Sequence, residues 1–228
     1  MAEAVVLLSG GLDSSTVLAM ACEQGHEIVA LTFDYGQKHL RELNSARKVA
    51  KHFKAKEHVV IPLDIGRYVQ SSLTQDSLVI PEASAIAGQP AGIPSTYVPS
   101  RNTIFLSIAA SIAESRGAER IFIAVNSVDF SGYPDCTPDF LEAFQRVLNV
   151  GTKAGKLGKT LKIEAPILEM SKADIVREAV RLKVPLDMTW SCYRGGVKAC
   201  GRCDSCVLRL RGFAEAGVDD PLEYEVRG

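Results

Sequence analysis

Short apolar runs alternate with segments of helical periodicity along most of the chain. The runs predict buried strands over residues 4–8, 28–33, 59–61, 120–125 and 161–165. Between them, hydrophobic residues recur three and four positions apart, which predicts helices over residues 12–24, 40–53, 102–116, 139–150, 171–183 and 204–217. Strands that alternate with helices are typical of a parallel sheet with helices on both faces. The pattern therefore predicts an α/β fold.

One long stretch interrupts this alternation. Residues 62–100 contain five prolines and only a weak helical pattern over residues 65–73, which is typical of a functional lid or a long loop. We expect residues 1–190 to form one α/β domain that carries this segment. Residues 191–228 are expected to form a metal-binding motif and a C-terminal helix packed on that domain.

Composition and charge narrow the classes of function. The chain has 26 Lys and Arg against 27 Asp and Glu, a formal net charge of −1, so bulk attraction to nucleic acid or to an anionic membrane is not expected. No stretch approaches the roughly 18 to 20 apolar residues of a membrane span, and the first apolar run is too short for a signal peptide. These features predict a soluble, cytoplasmic protein and give no support to a tRNA-sized ligand, without excluding one.

A glycine-rich turn joins the first predicted strand to the first predicted helix. Its sequence is Ser9-Gly10-Gly11-Leu12-Asp13-Ser14, and at such a place backbone N–H groups and the positive end of a helix can surround a phosphate. It lacks the Lys-Ser/Thr of a Walker A loop and the spaced glycines of a dinucleotide fingerprint. An ordinary capped turn is the alternative interpretation.

Four of the six cysteines lie within fifteen residues. Cys192, Cys200, Cys203 and Cys206 contain two overlapping CxxC units, a spacing typical of tetrahedral metal sites. Zinc, one ion per chain with a structural role, is the expected metal, and an iron–sulfur cluster is the main alternative. Cys22 lies on an apolar helix face and is expected to be a small core residue, whereas Cys136 is either a bystander or a site residue.

The glycine-rich turn resembles the SGGxDS loop of the PP-loop, or N-type ATP pyrophosphatase, superfamily. The resemblance implies a Rossmann-like sheet of the adenine nucleotide alpha hydrolase type, and ATP with magnesium as co-substrate. It assigns Asp13 to the magnesium-bound phosphates and Lys172 to a second phosphate-contacting motif, unless Lys172 is only a solvated surface residue. The other expected nucleotide contacts are Leu8, Ser9, Gly10, Gly11, Leu12, Ser14, Ser15, Thr16 and Asp34.

Further motifs restrict the resemblance to one family of this superfamily. Over essentially its whole length the chain resembles the 7-cyano-7-deazaguanine synthases, the QueC family of queuosine biosynthesis. The motifs that carry this resemblance are Asp34-Tyr35-Gly36-Gln37, Val98-Pro99-Ser100-Arg101-Asn102, the segment Asn126 to Cys136 and the cysteine cluster. Ser100 and Ala124 depart from the family pattern, which usually has Gly at both positions.

That family resemblance implies ATP-dependent conversion of 7-carboxy-7-deazaguanine and ammonia into the nitrile, with an amide as intermediate, and a homodimer. The expected substrate-binding residues are Arg101, Asn102, Asn126, Asp129, Tyr133 and Asp135. In this interpretation Tyr133 stacks on the deazapurine ring, Asp129 or Asp135 accepts from its guanidine-like edge, and Arg101 faces the carboxylate. Each has a structural alternative: Asn102 caps a helix, Arg101 forms a surface pair, and Tyr133 belongs to a turn.

Three other functions stay open from the sequence. One is another PP-loop enzyme, such as a tRNA thiolase or an amidine-forming ligase, and a second is a deazaguanine-like ligase that acts on a macromolecule. The third is a zinc-stabilised adaptor that only senses nucleotide, which the basic stretches 153–162 and 194–211 would favour. Near-neutral charge argues against a large RNA substrate.

Overall fold

The computed structural model describes residues 2–83, 92–127 and 132–227. Within them a five-stranded, entirely parallel sheet has the strand order β3-β2-β1-β4-β5. The strands are β1 (Glu3–Leu7), β2 (Glu27–Asp34), β3 (Glu57–Pro62), β4 (Arg120–Phe122) and β5 (Lys162–Glu164). The α-helices are α1 (Leu12–Glu23), α2 (Arg41–His52), α3 (Arg101–Arg116), α4 (Pro138–Gly151), α5 (Lys153–Lys156), α6 (Lys172–Arg181) and α7 (Asp204–Ala216).

Helices cover both faces of the sheet, as the apolar runs predict. Because successive side chains of a strand point to opposite faces, Val5 belongs to one hydrophobic core and Val6 to the other. The first core includes buried residues of α3 and α4, and the second includes residues of α1, α2 and α6. The expected α/β fold is confirmed.

The predicted elements agree with the observed ones to within a few residues, with two differences. The fourth strand ends at Phe122, where its pairing with β1 ends, instead of continuing to Val125. In place of a helix over residues 65–73 there is a four-residue 3₁₀ turn, Asp64–Arg67. Gly66 in this turn lies close to Gly36 and to the Tyr35 carbonyl. This contact with a distant part of the backbone, and not helical periodicity, determines the conformation of the turn.

The segment after β3 is anchored in the core where it is described. Leu73, Ile80 and Val98 are buried with the strands of the first core, and Ser72 donates its N–H to the Ser95 carbonyl at 2.8 Å. Burial of this kind fixes one side of the cavity described below.

The C-terminal part of the chain packs directly on the sheet domain. The four clustered cysteines belong to the same core as Val5 and Leu31, and α7 packs against α6. Among the helices of the described residues, none is both long and apolar enough to cross a bilayer.

Candidate active site

A cavity of about 300 Å³ opens at the carboxyl end of the sheet. Strands β1 and β4 are neighbours there, but the chain leaves β1 toward helix α1 on one face and leaves β4 toward α4 on the other. Such a reversal of strand order creates a crevice, and ligands of open α/β sheets bind in it. The cavity therefore lies where the fold itself leaves space for a ligand.

One side of the cavity, here called the phosphate wall, consists of Ser9, Gly11, Asp13, Ser14 and Lys172. Gly10 adopts φ +85°, and a Cβ atom there would lie 2.4 Å from the Ala46 nitrogen, so only glycine allows the turn to pack against α2. Helix α1 begins after Gly11 without a side-chain cap. Its first N–H groups are thus left for an anion, in agreement with a phosphate-binding turn.

Asp13 and Lys172 form an ion pair across this wall. The Lys172 Nζ lies 3.0 and 2.8 Å from the two Asp13 carboxylate oxygens, and the lysine side chain is only 11% exposed. Lys172 opens α6 behind a capping box formed by Ser171 and Asp174. It is therefore held at the cavity and is not a solvated surface residue.

Asn126 connects the exit of β4 to this wall. Its amide nitrogen donates to the Ile167 carbonyl at 2.9 Å and to the Met170 carbonyl at 2.6 Å. Both carbonyls lie just before α6, so Asn126 holds in place the loop that presents Lys172. The residue also lines the cavity.

The opposite side, here called the aromatic wall, consists of Tyr35, Glu42, Arg101, Tyr133 and Tyr193. The Arg101 guanidinium donates to the Tyr35 hydroxyl at 3.3 Å and lies 5.6 Å from the centre of that ring. Tyr133 is buried and donates its hydroxyl to Thr96 at 2.8 Å. The wall thus offers aromatic surfaces together with one cation and one carboxylate.

Several predicted contacts do not line the cavity. Asp135 is buried, and its carboxylate accepts the backbone N–H of Asn102 at 2.9 Å, at the start of α3. The hydroxyls of Ser15 and Thr16 donate to carbonyls of their own helix turn, and Asp34 ends β2 outside the lining. Asp129 lies outside the described residues. Leu8, Leu12 and Asn102 do line the cavity.

Glu42 lines the cavity but was not among the predicted site residues. Glu42, Ala46, Val49 and Ala50 follow the i, i+4, i+7, i+8 spacing that places a residue on the buried face of a helix. A carboxylate on such a face is the signal that would have indicated it. Burial raises the pKa of Glu42 to about 7, and the nearby Arg101 opposes that rise.

Cys136 also lines the cavity, as a partly buried thiol. Its sulfur accepts a hydrogen bond from the Asn102 side-chain amide at 3.3 Å, and burial, together with Asp135, raises its pKa to about 11. It is therefore protonated at neutral pH and a weak nucleophile. Cys22 packs against the second core, as predicted.

The four clustered cysteines form a compact set of ligands. Their sulfur atoms all lie within 4.8 Å of one another, and all four residues are buried. The Cys200 and Cys206 sulfurs are 3.9 Å apart, close to the spacing of about 3.8 Å that a tetrahedron of 2.3 Å bonds requires. Backbone N–H groups of Arg194 and Cys200 donate to the Cys192 sulfur. The cluster can hold a metal ion.

The chain is similar to proteins of one family over nearly its whole length. The family model "Queuosine biosynthesis protein QueC" matches residues 3–217. The curated "7-cyano-7-deazaguanine synthase 2" of Desulfitobacterium hafniense (strain Y51) is 54% identical over 229 residues, covering 100% of this chain and 95% of the relative. The "7-cyano-7-deazaguanine synthase" of Acetivibrio thermocellus is also 54% identical, with 100% of both chains covered.

A solved structure, NMN synthetase from Francisella tularensis, shares the fold at 15% identity. Its TM-score is 0.50, with 96% of this chain and 79% of that chain covered. At this identity the likeness bears on the fold alone. The match of the family model over nearly the whole chain, together with relatives more than half identical from end to end, shows that the chain belongs to the QueC family of queuosine biosynthesis proteins.

Proposed function

We propose that the protein is an ATP-dependent ligase that converts 7-carboxy-7-deazaguanine and ammonia into 7-cyano-7-deazaguanine. The observation that carries this proposal is the cavity itself, which joins a phosphate-binding turn on one wall to aromatic rings and a guanidinium on the other. The names of the relatives at 54% identity supply the identity of the product, and the substrates are those that the family resemblance implies.

The phosphate wall has the chemistry to bind ATP. The free N–H groups at the start of α1 and the hydroxyls of Ser9 and Ser14, which lie 2.9 Å apart, would contact the pyrophosphate end. Lys172 would neutralise charge that develops on the phosphates. Asp13 would hold magnesium, a cation that prefers carboxylate and phosphate oxygens. On ATP binding, Asp13 would therefore exchange its contact with Lys172 for the metal.

The aromatic wall would bind the deazapurine. Arg101 would face the substrate carboxylate, and Tyr133 would pack against the ring. In line with the superfamily, the substrate carboxylate would attack the α-phosphate of ATP and release pyrophosphate, so that its poor leaving oxygen becomes part of an acyl-adenylate from which AMP leaves readily when ammonia attacks. Ammonia then gives the amide, and a second activation of the amide oxygen allows the nitrile to form. The side chains position the reactants, and no protein nucleophile is required.

We propose zinc as the metal of the cysteine cluster, with Cys192, Cys200, Cys203 and Cys206 as its ligands. Four thiolates complete a tetrahedron and leave no position for water, so the ion would be structural. Elemental analysis of purified protein should find about one zinc per chain, whereas iron with a visible chromophore would indicate an iron–sulfur cluster.

The family resemblance also supports a homodimer in the cytoplasm, with residues 1–190 as the catalytic domain and 191–228 as its zinc-binding extension. Light scattering on the purified protein tests the dimer, because a mass of one 24.6 kDa chain would contradict it.

The deciding experiment is reconstitution of the reaction. Purified protein with magnesium, ATP, 7-carboxy-7-deazaguanine and ammonium should yield a product with the mass of the nitrile, and the amide should accumulate early. Guanine and 7-deazaguanine should neither react nor stimulate ATP cleavage, because they lack the carboxylate. If only a tRNA or a protein stimulates ATP consumption, the macromolecular alternatives replace this proposal.

A further inference from the structure

Glu42 is a carboxylate that faces the cavity without a protein partner. Within residues 2–83, 92–127 and 132–227, the Glu42 side chain has neither a hydrogen bond nor a basic nitrogen within 4.0 Å. Its position in the first turn of α2, behind the loop that carries Tyr35, places it on the aromatic wall. A carboxylate in such a place carries a cost of burial that protein contacts do not offset.

The other carboxylates near the cavity are on the opposite side or already engaged. Asp13 pairs with Lys172 on the phosphate wall, and Asp204 lines the cavity near the same lysine, whose charge acts on its pKa. Asp135, which was expected to read the heterocycle, instead accepts the first N–H of α3. Among the described residues, this leaves Glu42 as the carboxylate that lines the aromatic wall.

The surroundings of Glu42 suit a flat heterocycle. Phe33 and Phe105 stack with ring centres 4.0 Å apart, and Tyr35 lies against Phe105 at 5.7 Å. All three residues line the cavity. Next to Glu42 lies a second cavity of about 10 Å³, with room for roughly one water molecule. A ring that contacts these aromatic residues can therefore present its edge to Glu42.

We propose that Glu42 recognises the guanidine-like edge of the deazapurine, accepting hydrogen bonds from the ring N–H and the exocyclic amino group. This assignment deepens the proposed function and rests on it. The two donors of that edge are adjacent and parallel, as are the two oxygens of a carboxylate, so the pair is bidentate and charge-assisted. Adenine, which lacks this pair of donors, is not accepted at the same position.

The electrostatics of the site support this assignment. Burial raises the pKa of Glu42 to about 7, and the positive charge of Arg101 opposes that rise. Two N–H donors from a ligand favour the ionised form and so reverse the effect of burial. The bound heterocycle thus supplies the partners that the protein does not.

The test compares the wild type with Glu42→Gln, which keeps the side-chain shape but replaces one acceptor oxygen by a donor. We expect kcat/KM for 7-carboxy-7-deazaguanine to fall by about 10²-fold, since a donor then meets a donor in a buried place. The KM values for ATP and ammonium should stay near those of the wild type. Glu142→Gln, an exposed carboxylate on α4 with 73% of its side chain accessible, is the matched control and should change none of them.

A second measurement needs no variant. The substrate analogue without the exocyclic amino group should react with the wild type about 10²-fold less efficiently, because one carboxylate oxygen is left unpaired. Glu42→Gln should discriminate between analogue and substrate much less. Calorimetric binding of 7-carboxy-7-deazaguanine to both proteins, in the absence of ATP and ammonia, should show the same loss of affinity.

The outcomes separate this inference from the proposed function. If the wild type makes no amide or nitrile and does not bind the deazapurine, the proposed function fails and the inference with it. If the wild type is active but Glu42→Gln and the analogue behave normally, only the role of Glu42 is wrong. A rise in the KM for ammonium alone would likewise overturn it, and would instead make Glu42 a group that binds or deprotonates ammonia.

Discussion

The two walls of the cavity are built in different ways. The phosphate wall comes mainly from one short segment, Ser9 to Ser14, and a single lysine that opens α6, a helix packed against α1. The aromatic wall takes single residues from distant parts of the chain: the loop after β2, the starts of α2 and α3, the loop before α4, and the cysteine segment. A local motif specifies the first wall, whereas only the topology assembles the second.

The cysteine segment connects the two walls. The Trp190 backbone N–H donates to the Gly10 carbonyl at 2.9 Å, and its indole N–H donates to the Cys192 carbonyl at 2.9 Å. The Arg41 guanidinium lies 4.3 Å above the same indole. Tyr193, on the aromatic wall, directly follows Cys192. The cysteine cluster therefore supports the glycine turn and the aromatic wall at once.

The largest expected effect is that of removing a metal ligand, because it acts on both walls. Cys203→Ser should lose most of its metal and unfold or aggregate on purification. Zinc binding in small modules contributes about 10 to 16 kcal/mol, which is comparable to the roughly 5 to 15 kcal/mol by which most domains are stable. Metal content and urea unfolding measure it. Cys22→Ser, away from the cluster, is the control, and equal behaviour of the two variants would rule out a structural metal.

Asp13→Ala should damage the phosphate wall while leaving the fold intact. We expect turnover with ATP to fall by about 10³-fold, since a charged group that organises the phosphates is removed. Stability should fall by no more than about 2 kcal/mol, the cost of leaving Lys172 without its partner. The measurements are steady-state kinetics and urea unfolding.

The control for Asp13 lies on the same helix. Glu23→Ala removes an exposed ion pair with Arg181 at the other end of α1, and such pairs contribute about 0 to 1 kcal/mol. Its turnover should equal that of the wild type. Near-normal turnover of Asp13→Ala would exclude Asp13 from metal and phosphate binding.

The sequence predicts the phosphate wall better than the aromatic wall, because a local motif specifies the first and only the topology assembles the second. The glycine turn and the cysteine spacing are signals that lie within fifteen residues of the chain, so the sequence alone predicts both. Glu42 carries only a weaker signal, a carboxylate on the apolar face of α2, and Tyr193 carries none, because the place of both residues in the cavity depends on which loops the sheet order brings together. For Asp135 the sequence predicts a contact with the ligand, but in the structure its carboxylate accepts the Asn102 N–H at the start of α3.

Gly212→Ala tests how precisely α7 positions Lys172. Gly212 lies inside α7, where alanine would favour the helix by about 1 kcal/mol, but a Cβ atom there would lie 2.4 Å from Lys172 Cγ. The lysine must move, so we expect turnover to fall by about 10-fold with KM for ATP raised. Gly151→Ala, at the end of α4 with nothing within 4 Å of its Cβ position, is the matched control. Unchanged kinetics would show that Lys172 reaches the phosphates by another path.

The smallest effect is expected on the aromatic wall, from Tyr133→Phe. The variant keeps the ring that would pack against the deazapurine and removes only the hydroxyl that donates to Thr96 at 2.8 Å. Since a buried hydrogen bond contributes about 1 kcal/mol, the melting temperature should fall by about 2 to 4 °C in a chain of this length. Tyr68→Phe, at a residue that is 82% exposed, should leave the melting temperature unchanged.

Because the Tyr133 hydroxyl is engaged by the protein, kcat/KM for the deazapurine should stay within about threefold of the wild type, a difference below about 0.7 kcal/mol. A loss of two orders of magnitude would instead mean that the hydroxyl contacts the substrate, and the aromatic wall would then act by hydrogen bonding and not by packing.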